Sequence, residues 1–174
     1  RALCDRFGVS RSLVREALQQ LAGESLVELV PHKGPQVAVL TAEDARQIYA
    51  VRGVLEGLIA AEFAAGASDE ALARLEKVAA ELASASEAAG PGGLLDIKNR
   101  FYATLVAGAG NRVAGDMLVQ LNNRITLLRR VSLSLPGRLS RTRREIAAVV
   151  EAIRRRDPAR ARRLAELHVR LAAA

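Results

Sequence analysis

From residue 41 onward, apolar side chains recur every three or four positions over most of the chain, and that period predicts packed helices. Ile48, Val51, Leu55 and Leu58 form one stripe, Leu94, Phe101 and Leu105 a second, and Val113, Met117, Leu121, Ile125 and Leu128 a third. Ile146, Val149, Val150 and Ile153, then Ala161, Leu164, His168 and Leu171, add two more around a short turn at Asp157 and Pro158. Helix starts are marked by Thr41 with Asp44 three residues on, by Ser68 ahead of Asp69 and Glu70, by Asn111 and by Pro158. Two punctuated regions, the Pro31, Gly34, Pro35 cluster and the stretch from Ala88 to Gly93, read as turns or loops. One-sided stripes joined by short connections predict an antiparallel all-helical bundle of about six helices over residues 41–174. Composition agrees: hydrophobic residues make up 50% of the chain and aromatics 3%, so the core is built mainly from Leu, Val, Ile and Ala.

The first 40 residues follow another pattern. Leu3 to Phe7 is a short helical piece, Gly8 supplies a turn, and Ser10 caps a second helix running to about Leu21. Small Cys4 lets the two helices cross closely, while Val9, Val14 and Leu18 lock the second against the first. Leu26 to Val30 and Gln36 to Leu40, around Pro31, His32, Lys33 and Gly34, read as a β-hairpin wing. On the second helix Val14, Leu18 and Leu21 point inward. Ser10, Arg11, Ser12 and Arg15 fall at its exposed N-terminal end, where the helix dipole meets phosphate and arginine forks match guanine O6 and N7.

Net charge is +7 and the sequence pI near 10.6. The basic excess lies in the C-terminal half, away from the helix-turn-helix, so charge by itself is a weak sign of nucleic-acid binding. Residues 124–144 carry Arg124, Arg129, Arg130, Arg138, Arg141, Arg143 and Arg144, ordinarily a solvated face. One cysteine, Cys4, excludes an intrachain disulfide framework and leaves no Cys cluster for zinc. No apolar run approaches the length of a membrane span, and Arg1 opens no signal-like stretch, so the expected location is cytoplasmic.

The run Gly8-Val9-Ser10-Arg11-Ser12-Leu13-Val14-Arg15-Glu16-Ala17-Leu18, followed by Leu26-Val27-Glu28-Leu29 and the wing, strongly resembles the winged-helix domain of GntR-type bacterial transcription regulators. Ile48-Tyr49-Ala50-Val51-Arg52 to Glu56, Ala109-Gly110-Asn111 and Glu151-Ala152-Ile153 to Asp157-Pro158 resemble that family's all-helical FCD effector domain. The resemblance implies a winged helix-turn-helix over residues 1–40, begun inside the motif without its first helix, and an effector-binding and dimerisation domain over residues 41–174. It implies DNA contacts by Arg1, Ser10, Arg11, Ser12, Arg15, His32, Lys33 and Gly34, with Arg11 and Arg15 at base-reading positions. Ser25 departs from the glycine usual in the family.

Many FCD domains hold a metal with one Asp and three His, and here the aligned positions are Lys98, Tyr102, Ile146 and His168. One imidazole beside a lysine ammonium makes no closed site, so no bound metal and no cofactor are expected. His168, on an apolar stripe, would by default be a core histidine satisfied by one hydrogen bond. Alternatively Lys98 and Tyr102, one helical turn apart, converge with Arg52 and His168 on an anionic effector, the ammonium replacing the metal. Against that, Lys98 snorkels from a bundle end and Arg52 pairs only with Glu56.

An enzyme is disfavoured, because no G-x-G-x-x-G, P-loop, H-E-x-x-H or G-x-S-x-G occurs. The expected function is a ligand-responsive transcription regulator that binds palindromic operator DNA as a homodimer. The alternative is a helical protein-interaction module that has lost DNA binding.

Overall fold

The computed structural model describes residues 2–24, 26–86 and 90–173. The chain separates into two compact units, Arg1–Thr41 and Ala42–Ala174.

In the first unit, α1 spans Ala2–Phe7 and α2 Arg11–Gly23, followed by β1 Val27–Val30 and β2 Gly34–Val37. Gly8, at φ 65, ends α1, and the Val9 amide reaches back to the Cys4 carbonyl at 3.2 Å, a Schellman closure. Ser10 starts α2, its side chain accepting from the Leu13 amide at 3.2 Å. Cys4, Val9, Val14 and Leu18 are half-buried as the anchors of this crossing, whereas Leu21 is 37% exposed instead of pointing inward. The wing is an antiparallel hairpin pairing Val27 with Val37 and Val30 with Gly34. Its second strand starts two residues earlier than the sequence suggests, because the turn is tighter. Pro31 and His32 fill the central turn positions, His32 takes φ 63, and the Lys33 amide donates to the Val30 carbonyl at 3.1 Å.

The second unit is a bundle of α3 (Ala42–Gly66), α4 (Asp69–Ser84), α5 (Gly90–Ala109), α6 (Arg112–Arg124), α7 (Thr126–Ser134), α8 (Arg138–Arg154) and α9 (Pro158–Ala173). That is seven helices among the described residues, one more than the stripes suggest. The stripe from Val113 to Leu128 is broken at Ile125, which leaves helical geometry (φ −107, ψ 17) while its side chain is fully buried. Just past the break, Thr126 Oγ1 donates to the Asn122 backbone carbonyl at 3.0 Å.

The long α3 packs chiefly on α9, and α4 bridges α5 and α8. Close approach follows from small residues: a Cβ at Gly57 would lie 2.8 Å from Glu166 Cγ of α9, and Ala60, Ala64, Ala161 and Ala165 are buried in the same core. Ile59, Phe63, Leu75, Phe101, Leu105, Leu118, Ile146 and Ile153 fill its centre. Two expected stripes are out of phase with the burial. On α3, Val51 is 51% exposed while Arg52 and Glu56 face inward; on α6, Val113 and Met117 are exposed while Ala114, Leu118 and Asn122 are buried. In both helices the buried face carries polar residues, and apolar spacing alone therefore selects the neighbouring face. Leu171, on the last expected stripe, is also exposed at 44%.

Gly108 of α5 lies against the Phe63 ring so closely that a Cβ would collide with it. Gly108→Ala is therefore expected to destabilise the bundle by about 1–3 kcal/mol through overpacking, read as a lower midpoint in urea with an unchanged slope.

Candidate nucleic-acid interface and buried charged cluster

The first unit presents Ser10, Arg11, Ser12 and Arg15 at the N-terminal end of α2, all four exposed. Arg11 and Arg15 lie one turn apart on the same side of the helix. Ser10 is not free in full, since its oxygen already caps the helix. That cap fixes where α2 begins, and so which residues stand at the positive end of its dipole. His32 and Lys33 are exposed in the wing turn. Gly34 opens β2 at φ 82, a conformation that leaves the main chain uncovered by a side chain. Arg1, expected to contact DNA, lies outside the described residues, as does Ser25.

In the second unit Arg52, Lys98, Tyr102 and His168 come from α3, α5 and α9, and each is buried to at least 94%, with exposures of 2, 6, 5 and 3%. Lys98 does not snorkel. Its Nζ sits 3.5 Å from His168 Nε2, and His168 Nδ1 lies 2.6 Å from Glu145 Oε2. The second contact makes Nδ1 the protonated nitrogen, donating to Glu145, and leaves Nε2 to accept from Lys98. His168 thus has two partners, not one. Arg138 closes the chain with a two-pronged ion pair to Glu145, at 3.0 and 3.1 Å. Arg52 does pair with Glu56, at 2.5 Å, and also lies over the Tyr49 ring at 5.2 Å. Arg129 of α7, 5% exposed, stands 6.0 Å from the Tyr102 ring centre.

The basic run over residues 124–144 is therefore not one solvated face. Arg129 and Arg138 are buried members of this cluster, and Arg143 reaches from α8 to the Leu82 carbonyl. Spacing gave little warning of Arg129 and Glu145, since both lie beyond the stripe residues that drew attention. Arg138 and Glu145, seven apart on one helix face, were the available signal.

Four cationic side chains, Arg52, Lys98, Arg129 and Arg138, thus share the interior with two carboxylates, the buried Glu56 and the half-buried Glu145. Burial, then the charges of Arg129 and Arg52, push the Lys98 ammonium down to about 7. Burial, then Lys98, lowers His168 and so disfavours the imidazolium. Burial works to raise the Glu145 carboxyl, but hydrogen bonds from His168 and Arg138 outweigh it and hold it at about 2. Several buried polar atoms have no hydrogen bond of good geometry: Arg52 Nε, Arg129 Nε and Nη2, Tyr102 Oη, Asn122 Oδ1 and Thr142 Oγ1. Natively folded proteins rarely leave such groups orphaned without a reason.

The same residues do not suit the metal that the family resemblance implies. Position 98 offers an ammonium pointed at the remaining imidazole, position 146 is a buried isoleucine, and His168 spends both nitrogens on Lys98 and Glu145. Among the described residues no three of His, Cys, Asp and Glu gather as a metal site would need.

A capped, arginine-bearing helix beside a β-hairpin, joined to a helical bundle with a charged interior, defines a winged helix-turn-helix regulator with a helical second domain. The chain belongs to the gntR family of bacterial regulatory proteins, in the branch carrying an FCD domain: residues 1–37 match the former and residues 47–171 the latter. The HTH-type transcriptional regulator YdhC of Bacillus subtilis is 28% identical over 156 residues, covering 89% of this chain and 70% of that protein. A second HTH-type transcriptional regulator, from the TAR-I ttuE-ttuC' intergenic region of Agrobacterium vitis, is 34% identical over 107 residues, covering 60% of this chain and 63% of that protein. In fold, E. coli McbR/YncC superposes with a TM-score of 0.85 at 19% identity, over 98% of this chain and 81% of that one. These families are transcription regulators, not enzymes. Among the described residues no helix is long and apolar enough to cross a membrane.

The two displaced acid-base equilibria set opposite ends of the stability profile. Lys98 titrates near 7 when folded against 10.5 when unfolded, so the unfolded chain binds more protons between those values and stability rises with pH across them. Glu145 titrates near 2 when folded against 4.5 when unfolded, so its stabilising contribution is complete above 4.5 and is lost as pH falls towards 2. Calorimetric melts should therefore show the rise above neutrality flattened in Lys98→Met, and the acid-side loss reduced in Glu145→Gln, which also melts lower at neutral pH.

Proposed function

We propose that this transcription regulator binds palindromic operator DNA as a homodimer in the cytoplasm, and that an anionic small molecule taken up by the helical domain controls its affinity for DNA. On the DNA side, Arg11 and Arg15 read base edges from α2, Ser10 and Ser12 hold phosphates or base edges, and His32, Lys33 and Gly34 bring the wing to the backbone. Each bidentate arginine-guanine pair contributes about 1–3 kcal/mol of discrimination. A single short helix makes few such contacts, and two copies on two half-sites multiply the effective affinity.

The observation that carries the effector reading is the buried surplus of cations around Arg52, Lys98, Tyr102 and His168, with guanidinium N–H groups left unpaired. An anion entering there neutralises charge the fold leaves uncompensated, and its binding favours the protonated ammonium of Lys98. Control of DNA affinity then requires only that the anion bind one dimer arrangement more tightly than the other.

Filter binding to random duplex over a salt series tests the DNA half. Affinity should fall steeply with salt, and Lys33→Ala should reduce the log–log slope by about one. Arg15→Ala should cost about 1–3 kcal/mol on a duplex selected for tight binding, and relax its preference there. A flat salt response points instead to a helical interaction module. For the effector half, ligand-induced release from DNA that persists unchanged in Lys98→Ala would remove Lys98 from the site.

A further inference from the structure

Several arginines of the helical unit are tied to carboxylates: Arg52 to Glu56, Arg100 to Glu81, Arg138 to Glu145, Arg154 and Arg155 to Glu151, and Arg156 to Asp69. The outer face of α9 is different. Arg160, Arg163 and Arg170 are exposed there, and among the described residues none of the three side chains makes a hydrogen bond or an ion pair. Spacings of three and seven residues put them on one side of the helix. The opposite side supplies the packing, with Ala161, Ala165, His168 and Val169 buried. Glu166, the one acid of α9, is half-buried on another flank, where a Cβ at Gly57 of α3 would meet it. Helix stability does not account for the row either, since Arg160 sits in the first turn, where a cation opposes the dipole.

A row of free guanidinium groups on a rigid helix suits a polyanion. Arg160 and Arg170 are ten residues apart, about 15 Å along the axis and so roughly the rise of four base pairs. A lipid surface needs an outward apolar face, whereas α9 spends most of its apolar side on packing and leaves only Leu167 and Leu171 partly exposed beside the cations. A single strand needs aromatic platforms, and the four aromatics of the helical unit, Tyr49, Phe63, Phe101 and Tyr102, are all buried. The backbone of a double helix asks only for positive charge along its phosphates.

We propose that the outer face of α9 grips the sugar–phosphate backbone of duplex DNA through Arg160, Arg163 and Arg170, a contact blind to sequence and separate from the reading helix α2. The assignment rests on the reading of the chain as a DNA binder and gives that binder a second surface.

The test is binding of the full chain to a random-sequence duplex over a salt series. Replacing Arg160, Arg163 and Arg170 together by Gln should lower the log–log slope by about two to three, one phosphate for each guanidinium. Replacing the same three by Lys should keep the parent slope, because a phosphate contact of this kind needs charge more than shape. Arg74, Arg100 and Arg112, exposed on α4, α5 and α6, provide the control: their joint replacement by Gln removes equal charge and should leave the slope as it was. The preference for a duplex selected for tight binding over a random one should be the same in the α9 triple variant as in the parent. Should that variant not fold, Arg163→Gln alone decides, with an expected loss of about one in slope. A parent-like slope in the α9 variants overturns the proposal, as does an equal loss in the control, which would trace the attraction to net charge instead of this face. A steep parent slope that the α9 variants leave unmoved removes this surface and leaves the DNA-binding reading standing. A flat salt response in the parent overturns both.

Discussion

A surplus of buried positive charge is the constraint around which the helical unit is organised. Charges removed from water are costly unless paired, and breaking such pairs is costlier still. The bundle meets that cost in part through the linked chain Lys98, His168, Glu145 and Arg138, and through the Arg52–Glu56 pair on α3. It leaves Arg129 unmet. The break at Ile125 belongs to the same arrangement, since it redirects the chain so that Arg129 and Leu133 of α7 turn inward. Small residues on α3 and α9 bring these two helices into close contact.

That interior gives the fold its means of response. A bundle that is short of negative charge is biased by whatever anion supplies it, and the bias acts on any rearrangement of the helices that changes how well the anion is held. The N-terminal unit contributes a different kind of preparation. Its Gly8 closure and Ser10 cap fix the first residue of α2, so the two arginines one turn apart emerge at a defined end of a defined helix.

What could be read in the sequence, and what could not, divides along a physical line. Features set by local chemistry were readable: the Gly8 turn, the Ser10 and Ser68 caps, the hairpin around Pro31 and His32, and the helical stripes of α8. Features set by what a helix packs against were not. Arg52, Glu56 and Asn122 face inward, so a rule that assigns apolar residues to the core chose Val51, Val113 and Met117, which are exposed. Of the charged cluster, the alignment of Lys98 and Tyr102 with His168 was visible from spacing and resemblance. Arg129, Arg138 and Glu145 lay hidden in an arginine-rich run that looked solvated, because composition does not say which arginine in a run faces a carboxylate.

The chain contains only three lysines, Lys33, Lys77 and Lys98, so lysine side-chain NMR reads the central claim directly. In a titration of the ε-carbon resonances, one signal should titrate near 7, should vanish in Lys98→Met, and should move to higher pH when a carboxylate that raises Tm is added. A chain in which no lysine signal titrates near neutrality, or in which that signal ignores the added anion, would contradict the account of a cation-rich interior awaiting an anionic ligand.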